Sequence, residues 1–414
     1  MAKKQKKATP EQTPTKHQLS KWQRQMKIRR IVIIAAVVFL VGISSWVGYG
    51  YYSDYRAGTA AWRQVVIEVN NAKFDMEYFV KTLDALTAGM NSSTLSSYGS
   101  YFGNLVADSI IEGEILRQGA PSLNITVTAA EVDARLKQYN YDDRYRDMVM
   151  AVLLEEKLRA HFGAGLNGTE IQQAHVQVML VESQEVADEV VAKVESGGNF
   201  TALVNNYSCN SSIEGDLGWL PEELMPNSLV ANAAFNLTPP ALSQPIYDAT
   251  AIKDIGYWLI EVTGAQNQTI NALVMLLPSK AQAEQLKAQL AAGANFSALA
   301  GNYSQHASKA NGGRLDGLKR GNMTSTAFDA VAFNLTLNTV SEPVRDTSVE
   351  TAGGYWLVMV MDSGERVLEE QTLANLIDKR FNDWREARTN NSTIETFLDA
   401  NKLSWAVSKV LEGR

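Results

Sequence analysis

The chain contains the same pattern twice. HVQVMLVESQEVADEVVAKVESGGNFTALVNNYS, from His175, aligns with NALVMLLPSKAQAEQLKAQLAAGANFSALAGNYS, from Asn271, at an offset of 96, which sets Met179 on Met275, Phe200 on Phe296, Tyr207 on Tyr303 and Ser208 on Ser304. Two residues then enter the second copy. At an offset of 98, Gly215 meets Gly313, Leu217 meets Leu315, Met225 meets Met323 and Phe235 meets Phe333. GYWLIEV from Gly256 matches GYWLVMV from Gly354. A repeat of this length is a domain, not a solenoid turn, so the pattern predicts two tandem copies of one domain.

Each copy opens with a short β run, Val176–Val181 or Leu273–Leu277, rich in Val, Leu and Met. A helix follows: Ala187, Val190, Val191 and Val194 make an i, i+3, i+4, i+7 face. Glycines at Gly197–Gly198 and Gly293 mark its end. A second helix carries Phe200, Leu203, Val204 and Tyr207, mirrored by Phe296, Leu299, Ala300 and Tyr303. A Gly-rich loop, a short apolar segment ending in AFNL and a closing strand complete the order β-α-α-loop-α-β, an α+β domain.

Charge is distributed unevenly. Residues 1–30 hold seven Lys and three Arg against Glu11, or +9, so the formal net charge of −7 leaves −16 on the rest. Between them Ile31–Ser53 carries no charge and is long enough for a transmembrane helix, with Trp46, Tyr49, Tyr51 and Tyr52 near its end. The basic flank predicts a cytoplasmic N-terminus, a single-pass anchor in membrane lipid through residues 31–53, and an extracytoplasmic remainder. A cleaved signal peptide is the alternative, but the apolar run is long and no small-x-small site follows it directly. A net acidic remainder argues against nucleic acid as a partner. One cysteine excludes an intramolecular disulfide framework, and His17, His161, His175 and His306 are too scattered to suggest a metal site. Asn91, Asn124, Asn167, Asn206, Asn236, Asn302 and Asn334 begin N-x-S/T sequons, which fits either an exported surface or simply a composition rich in Asn, Ser and Thr.

The repeated residues resemble the parvulin (PpiC-like) family of peptidyl-prolyl isomerases. Copy one has His175, Phe200, Tyr207–Ser208, Gly215–Asp216–Leu217–Gly218, Met225, Ala234–Phe235 and Gly256–Tyr257. Copy two has Phe296, Tyr303–Ser304, Gly312–Gly313, Met323, Ala332–Phe333 and Gly354–Tyr355. VVIEVNNAKFDMEYF, Val65 to Phe79, is similar to the first strand and helix of SurA/PrsA-type foldases; a helix around Leu105–Arg117, a capping box at Thr128 and Glu131 and helical residues 143–161 follow. Leu373, Leu376, Ile377, Phe381 and Trp384 share one helix face, and in such proteins a C-terminal helix packs back on the N-terminal region. The resemblance implies an organisation of 1–30 basic tail, 31–53 transmembrane helix, 54–168 helical chaperone region, 169–265 and 266–364 parvulin-like domains, and 365–414 C-terminal helices.

It also implies a chemistry. Rotation about X-Pro breaks no covalent bond and requires no metal or cofactor; the catalyst must bind the twisted amide better than the planar one, by gripping the proline ring in an apolar pocket and excluding water. By resemblance the pocket of copy one is Met225, Phe235 and an apolar residue between them, Leu229 or Val230, with Trp258 on the closing strand; that of copy two is Met323, Phe328 and Phe333. All of these could equally be core residues. The family places one His on the first strand, a second on the last, and a Cys or Asp after Tyr-Ser. His175 fills the first place in copy one and Asn271 stands there in copy two, while Trp258 and Trp356 stand where the second His would be. Cys209 or Asn210 fills the third place in copy one and His306 in copy two. With GDLG intact, His175, Cys209 and Asp216 make copy one the catalytic candidate, and copy two, with Arg314 and Asp316, a binding module. Two functions follow: an isomerase acting on X-Pro bonds of unfolded or newly exported polypeptides, or a non-catalytic chaperone with degenerate parvulin modules. A Cys–His hydrolase built on Cys209 lacks any motif supplying an oxyanion stabiliser.

Overall fold

A computed structural model describes residues 59–210 and 215–414. The expected tail (1–30) and apolar span (31–53) lie outside the described residues. Among the described residues, no helix is long and apolar enough to cross a membrane. In chain order the strands are β1 (Val65–Val69), β2 (Ala72–Asp75), β3 (Glu170–Val181), β4 (Gly215–Leu220), β5 (Ala241–Leu242), β6 (Ile246–Lys253), β7 (Gly256–Gln266), β8 (Thr269–Leu277), β9 (Arg314–Leu318), β10 (Val344–Asp346), β11 (Thr351–Val367) and β12 (Ile394–Thr396). Helices are named by their residues. The described residues divide into two compact units, one ending at Lys157 and resuming at Arg385–Arg414, the other Leu158–Trp384; both boundaries fall inside helices, Arg146–Gly163 and Glu370–Asn390.

The first unit is mostly helical. The β1–β2 hairpin turns at Asn70, whose φ of 55° Asn tolerates, and β12 pairs on its other side. Asn70 also donates to Gln118 Oε1 at 2.7 Å and accepts from the Thr393 N–H at 2.9 Å, tying the hairpin to both chain segments of the unit. The helix around residue 105 runs over Ser92–Gly119, and helix Ala129–Tyr139 starts with the capping box of Thr128 and Glu131. Helix Ala400–Glu412 buries Leu403, Ala406, Val407 and Val410 in one core with Phe79, Leu83, Leu95 and Val106. C-terminal residues therefore do complete this unit, but they are not those of the predicted face. Leu373, Leu376 and Ile377 pack with Leu166 and Leu368 in the second unit.

In the second unit the sequence repeats and the folded domains do not coincide. The sheets run β4-β3-β11-β5, with β6 also on β11, and β10-β7-β8-β9. The closing strand of copy one, β7, thus pairs with the opening strand of copy two, β8. The closing strand of copy two, β11, pairs with the opening strand of copy one, β3. An inner domain is made of β7 to β10, and an outer domain of β3 to β6 is closed by β11. The boundaries 169–265 and 266–364 describe the repeats; each folded domain borrows its closing strand across them.

The cause lies in the connection. Only Asn267 and Gln268 separate β7 from β8, both at positive φ (49° and 64°). Such a two-residue hairpin joins adjacent antiparallel strands and cannot carry the chain across a sheet. Each sheet is then covered alike. In the outer domain helices Gln184–Glu195 and Phe200–Tyr207 bury Ala187, Val190, Phe200 and Val204 against Met179, Val181 and Leu357, and helix Ser228–Asn236 covers the other face. In the inner domain helices Lys280–Ala291 and Phe296–Tyr303 cover one face and Thr326–Ala332 the other. Each fully buried Val, Leu or Phe contributes about 1.5–3 kcal/mol. The crossings are tight. A Cβ on Gly256 would meet Leu276 Cδ1 at 2.6 Å and Thr351 Cγ2 at 2.9 Å, and one on Gly354 would meet the Val181 carbonyl oxygen at 2.9 Å.

Candidate functional site

His175 lies on β3 opposite Trp219 on β4, and a β-bulge between Val176 and Gln177 offsets the strands so that Asp216 faces back toward it. His175 Nε2 is 2.7 Å from Asp216 Oδ1, which also accepts the Gly218 N–H at 2.8 Å. Burial works against ionisation of Asp216, but the Gly218 N–H and the imidazole outweigh it and hold the carboxyl below the ordinary range. The imidazole lies 5.7 Å from the Trp219 ring, and the Arg366 guanidinium lies 4.1 Å from the same ring. Both polar groups are partly open to solvent, with 29% and 47% of their side chains exposed, so a ligand can reach them.

In the same domain Met225, Val230 and Phe235 pack in one cluster with Leu217, Ala231, Ala234 and Ile246. Of the two candidates between Met225 and Phe235, Val230 is buried in that cluster and Leu229 is half-buried outside it. The tryptophan that completes the cluster is Trp356, supplied by β11, not Trp258. Trp258, on β7, is buried in the inner domain among Phe328, Ile260 and Val274, with Met323 and Phe333 beside them. The exchange of closing strands moves it there. Each indole bonds a carboxylate of the other sequence copy: Trp356 Nε1 donates to Asp248 Oδ2 at 3.0 Å and Trp258 Nε1 to Asp346 Oδ2 at 2.8 Å. Burial disfavours the charge on both aspartates, but these indole bonds together with bonds from Thr250 and from Ser325 and Ser348 keep both below the ordinary range. Asp248 and Asp346 escaped sequence reasoning, although Asp-x-Thr and Asp-x-Ser recur at the repeat offset of 98.

Cys209 joins a different group. Its thiol donates to the Tyr207 carbonyl at 3.5 Å and packs against the inner-domain cluster of Ile255, Tyr257, Leu259 and Met275. Burial, helped by Glu182, pushes it up to about 11, so at neutral pH it is a thiol and not a nucleophilic thiolate. Asn210, the alternative for that place, donates to the Ile252 carbonyl at 3.0 Å. In the inner domain Asn271 stands where His175 does and accepts the Gly317 N–H, while Arg314 stands where Asp216 does and pairs with Asp316 at 2.8 Å. His306 caps its own loop through Ser308 and lies 5.3 Å from the Trp258 ring; burial lowers its proton affinity. The inner domain thus keeps the apolar cluster of Met323, Phe328 and Phe333 and lacks the His–Asp pair.

The fold defines a pair of α+β domains, each an antiparallel sheet with an apolar cluster under one helix, one of them carrying a His–Asp pair on its edge strands. Residues 176–264 and 276–362 each match the rotamase family described as the PPIC-type PPIASE domain. The chain therefore carries two tandem parvulin-type domains. It is similar to Chaperone SurA of Hahella chejuensis, 26% identical over 266 residues, covering 58% of this chain and 59% of that one. It is also similar to Foldase protein PrsA of Caldanaerobacter subterraneus, 26% identical over 180 residues (38% and 56%), and of Bacillus subtilis, 30% identical over 155 residues (37% and 41%). The chain spans little more than half the length of the first of these relatives. Two stretches of the chain thus match the parvulin-type domain, and the chain is similar to SurA- and PrsA-type proteins.

Proposed function

We propose that the chain is a membrane-anchored, extracytoplasmic foldase that accelerates cis–trans isomerisation of X-Pro bonds in exported polypeptides. The observation that carries this reading is the His175–Asp216 pair beside the apolar cluster of Met225, Val230 and Phe235 in a stretch that matches the parvulin-type domain. A twisted X-Pro amide loses resonance and its carbonyl becomes less polar, so a dry pocket favours it over either planar form. The proline ring takes the apolar pocket. Asp216 fixes the His175 ring and favours the tautomer with hydrogen on Nε2, leaving Nδ1 free for the substrate. No step needs a metal or cofactor. The segment 31–53 holds this body at the membrane with residues 1–30 in the cytoplasm.

The test is isomerisation of an Ala-Pro peptide by the chain. His175→Ala should slow it on the order of tenfold to a hundredfold, the worth of one hydrogen bond made to the twisted amide. Wild-type rates equal to buffer would end the proposal.

A second reading rests on the two tryptophans. Trp258 and Trp356 are buried and bonded to Asp346 and Asp248 at the places where the family has its second His. Neither indole can accept a hydrogen bond. That favours a chaperone that holds unfolded chains without catalysis, and such a protein would suppress aggregation equally well with His175→Ala.

A further inference from the structure

Asparagine is absent from residues 1–53, and 27 Asn follow them. Fourteen of the 27 begin N-x-S/T. Residues 54–414 hold 47 Ser and Thr in 361 positions, so chance predicts about 3.5 such sites. Inheritance through the repeat does not explain the excess. Three pairs recur between the copies, Asn199 with Asn295, Asn206 with Asn302 and Asn236 with Asn334, which leaves eleven separate sites. Local structure accounts for some of them. Asn91, Asn199 and Asn295 cap helices, each accepting through Oδ1 the N–H three residues on. Asn206, Asn236, Asn334 and Asn391 donate Nδ2 to the carbonyl four residues back. Among the described residues Asn124, Asn167 and Asn267 do neither. All three are exposed and lie in turns between elements. Asn124 and Asn267 take φ of 58° and 49°, and Asn167 lies between Gly165 and Gly168, at 78° and 73°.

We propose that Asn124, Asn167 and Asn267 are N-glycosylation sites, modified on the outer face of the membrane from a lipid-linked oligosaccharide phosphate by a membrane transferase. This rests on the reading of the body as extracytoplasmic. In the transfer the asparagine Nδ2 bonds to the anomeric carbon of the first sugar. The bond from that carbon to the phosphate oxygen breaks, and the lipid phosphate leaves with the bonding pair. One amide proton passes to a base of the transferase. A glycan is bulky and must project into solvent, and these turns give it room without disturbing a helix or a strand ladder. At Asn206, Asn236, Asn334 and Asn391 the same nitrogen lies against its own helix. The hydroxyl two residues on is the recognition element. Thr169 and Thr269 also donate to the Gly165 and Gln266 carbonyls, whereas Thr126 is exposed, so Asn124 gives the cleanest test. Asn140 is its control within the same chain. It is exposed at φ 54°, but Asp142 stands where the hydroxyl would be.

The test is peptide mass spectrometry of the full chain, made in its own cells and purified from their membranes in detergent. Peptides covering Asn124, Asn167 and Asn267 should each carry a sugar mass on the asparagine. Thr126→Ala should remove it from Asn124 and Thr126→Ser should keep it, while Asn140 stays bare in every protein. Labelling spheroplasts with a membrane-impermeant amine reagent locates the body separately. If the label reaches lysines beyond residue 53 and the three peptides are unmodified, the sequon excess is compositional: the inference falls and the extracytoplasmic reading stands. If those lysines are protected until the membrane is opened, both fall. A sugar mass on Asn140, or one on Asn124 that survives Thr126→Ala, would mean that the modification does not read the sequon and would overturn the inference.

Discussion

Lys253 is buried where the chain first crosses between the two parvulin domains. Its ammonium donates to the Pro278 carbonyl at 2.6 Å and lies 3.4 Å from that of Glu182, the residues just past the ends of β8 and β3. Burial lowers its proton affinity to about 8, and the nearby Cys209 and Glu182 only partly oppose that. The folded value lies below the ordinary 10.5, so between about 8 and 10.5 the unfolded chain binds the extra proton and stability rises with pH. Below about 8 both states hold the proton and the burial cost is present in full. Cys209, raised from 9.0 to about 11, acts in the opposite sense at higher pH, so the comparison belongs in a Cys209→Ser background. There, the change in unfolding free energy from pH 8 to 10.5, taken as the difference from the same chain with Lys253→Met, should be a gain on the order of 2–3 kcal/mol, because the raised Tyr78 and Tyr257 act in the opposite sense in both proteins. Equal slopes in the two proteins would refute the assignment. Nothing in the sequence singles out Lys253, because the repeat sets Thr351 at its place and the reason for a lysine exists only once the ends of β3 and β8 meet. The residues of the two apolar clusters were legible for the opposite reason. Met225, Phe235, Met323, Phe328 and Phe333 recur at one offset, and local helix geometry alone turns Val230 inward and leaves Leu229 half-buried.

At the scale of elements, helices and strands followed from periodicity, but their pairing did not. GYWLIEV and GYWLVMV present almost identical side chains, so either could lie against either opening strand with the same residues buried. Hydrophobic pattern fixes which face of a strand is inward and says nothing about which copy lies beside it. The signal was in the loop: alternation runs on either side of Asn267–Gln268 with no room for a crossing. The exchange can be read by cross-linking in the Cys209→Ser chain. Met359 is the register partner of Gln177. Without the exchange, Glu261, the repeat equivalent of Met359, would take that place. Mild oxidation should join Gln177→Cys to Met359→Cys and fail to join Gln177→Cys to Glu261→Cys, as seen by gel mobility with and without reductant. Cross-linking of the second pair alone would show sequential pairing.

At the scale of the molecule, the exchange nests one domain within another. The inner domain is continuous from β7 to β10, while the outer one waits for β11, which supplies the strand between β3 and β6. The residues that close the outer pocket, Trp356 with Val358 and Val360, therefore arrive only after the inner domain is complete. A long loop must be closed before those contacts form, whereas the β7–β8 hairpin forms locally. The two domains should then differ in their dependence on the C-terminal part. A chain ending at Glu350 keeps every strand of the inner sheet. It loses β11, so β3 is left with β4 as its only pairing partner among the described strands, and Val176, Val178 and Leu180 lose the cover of Trp356, Val358 and Val360. Hydrogen exchange should show β7 and β8 protected as in the full chain and β3 exchanging at least a hundredfold faster, since that sheet loses several buried apolar residues at about 1.5–3 kcal/mol each. A cut at the repeat boundary, between residues 265 and 266, severs the β7–β8 hairpin itself and separates each pocket from its tryptophan. Neither half made alone should show protected strands. Equal protection of β3 in the chain ending at Glu350 would mean that each copy closes on its own strand, and the nested order would have to be abandoned.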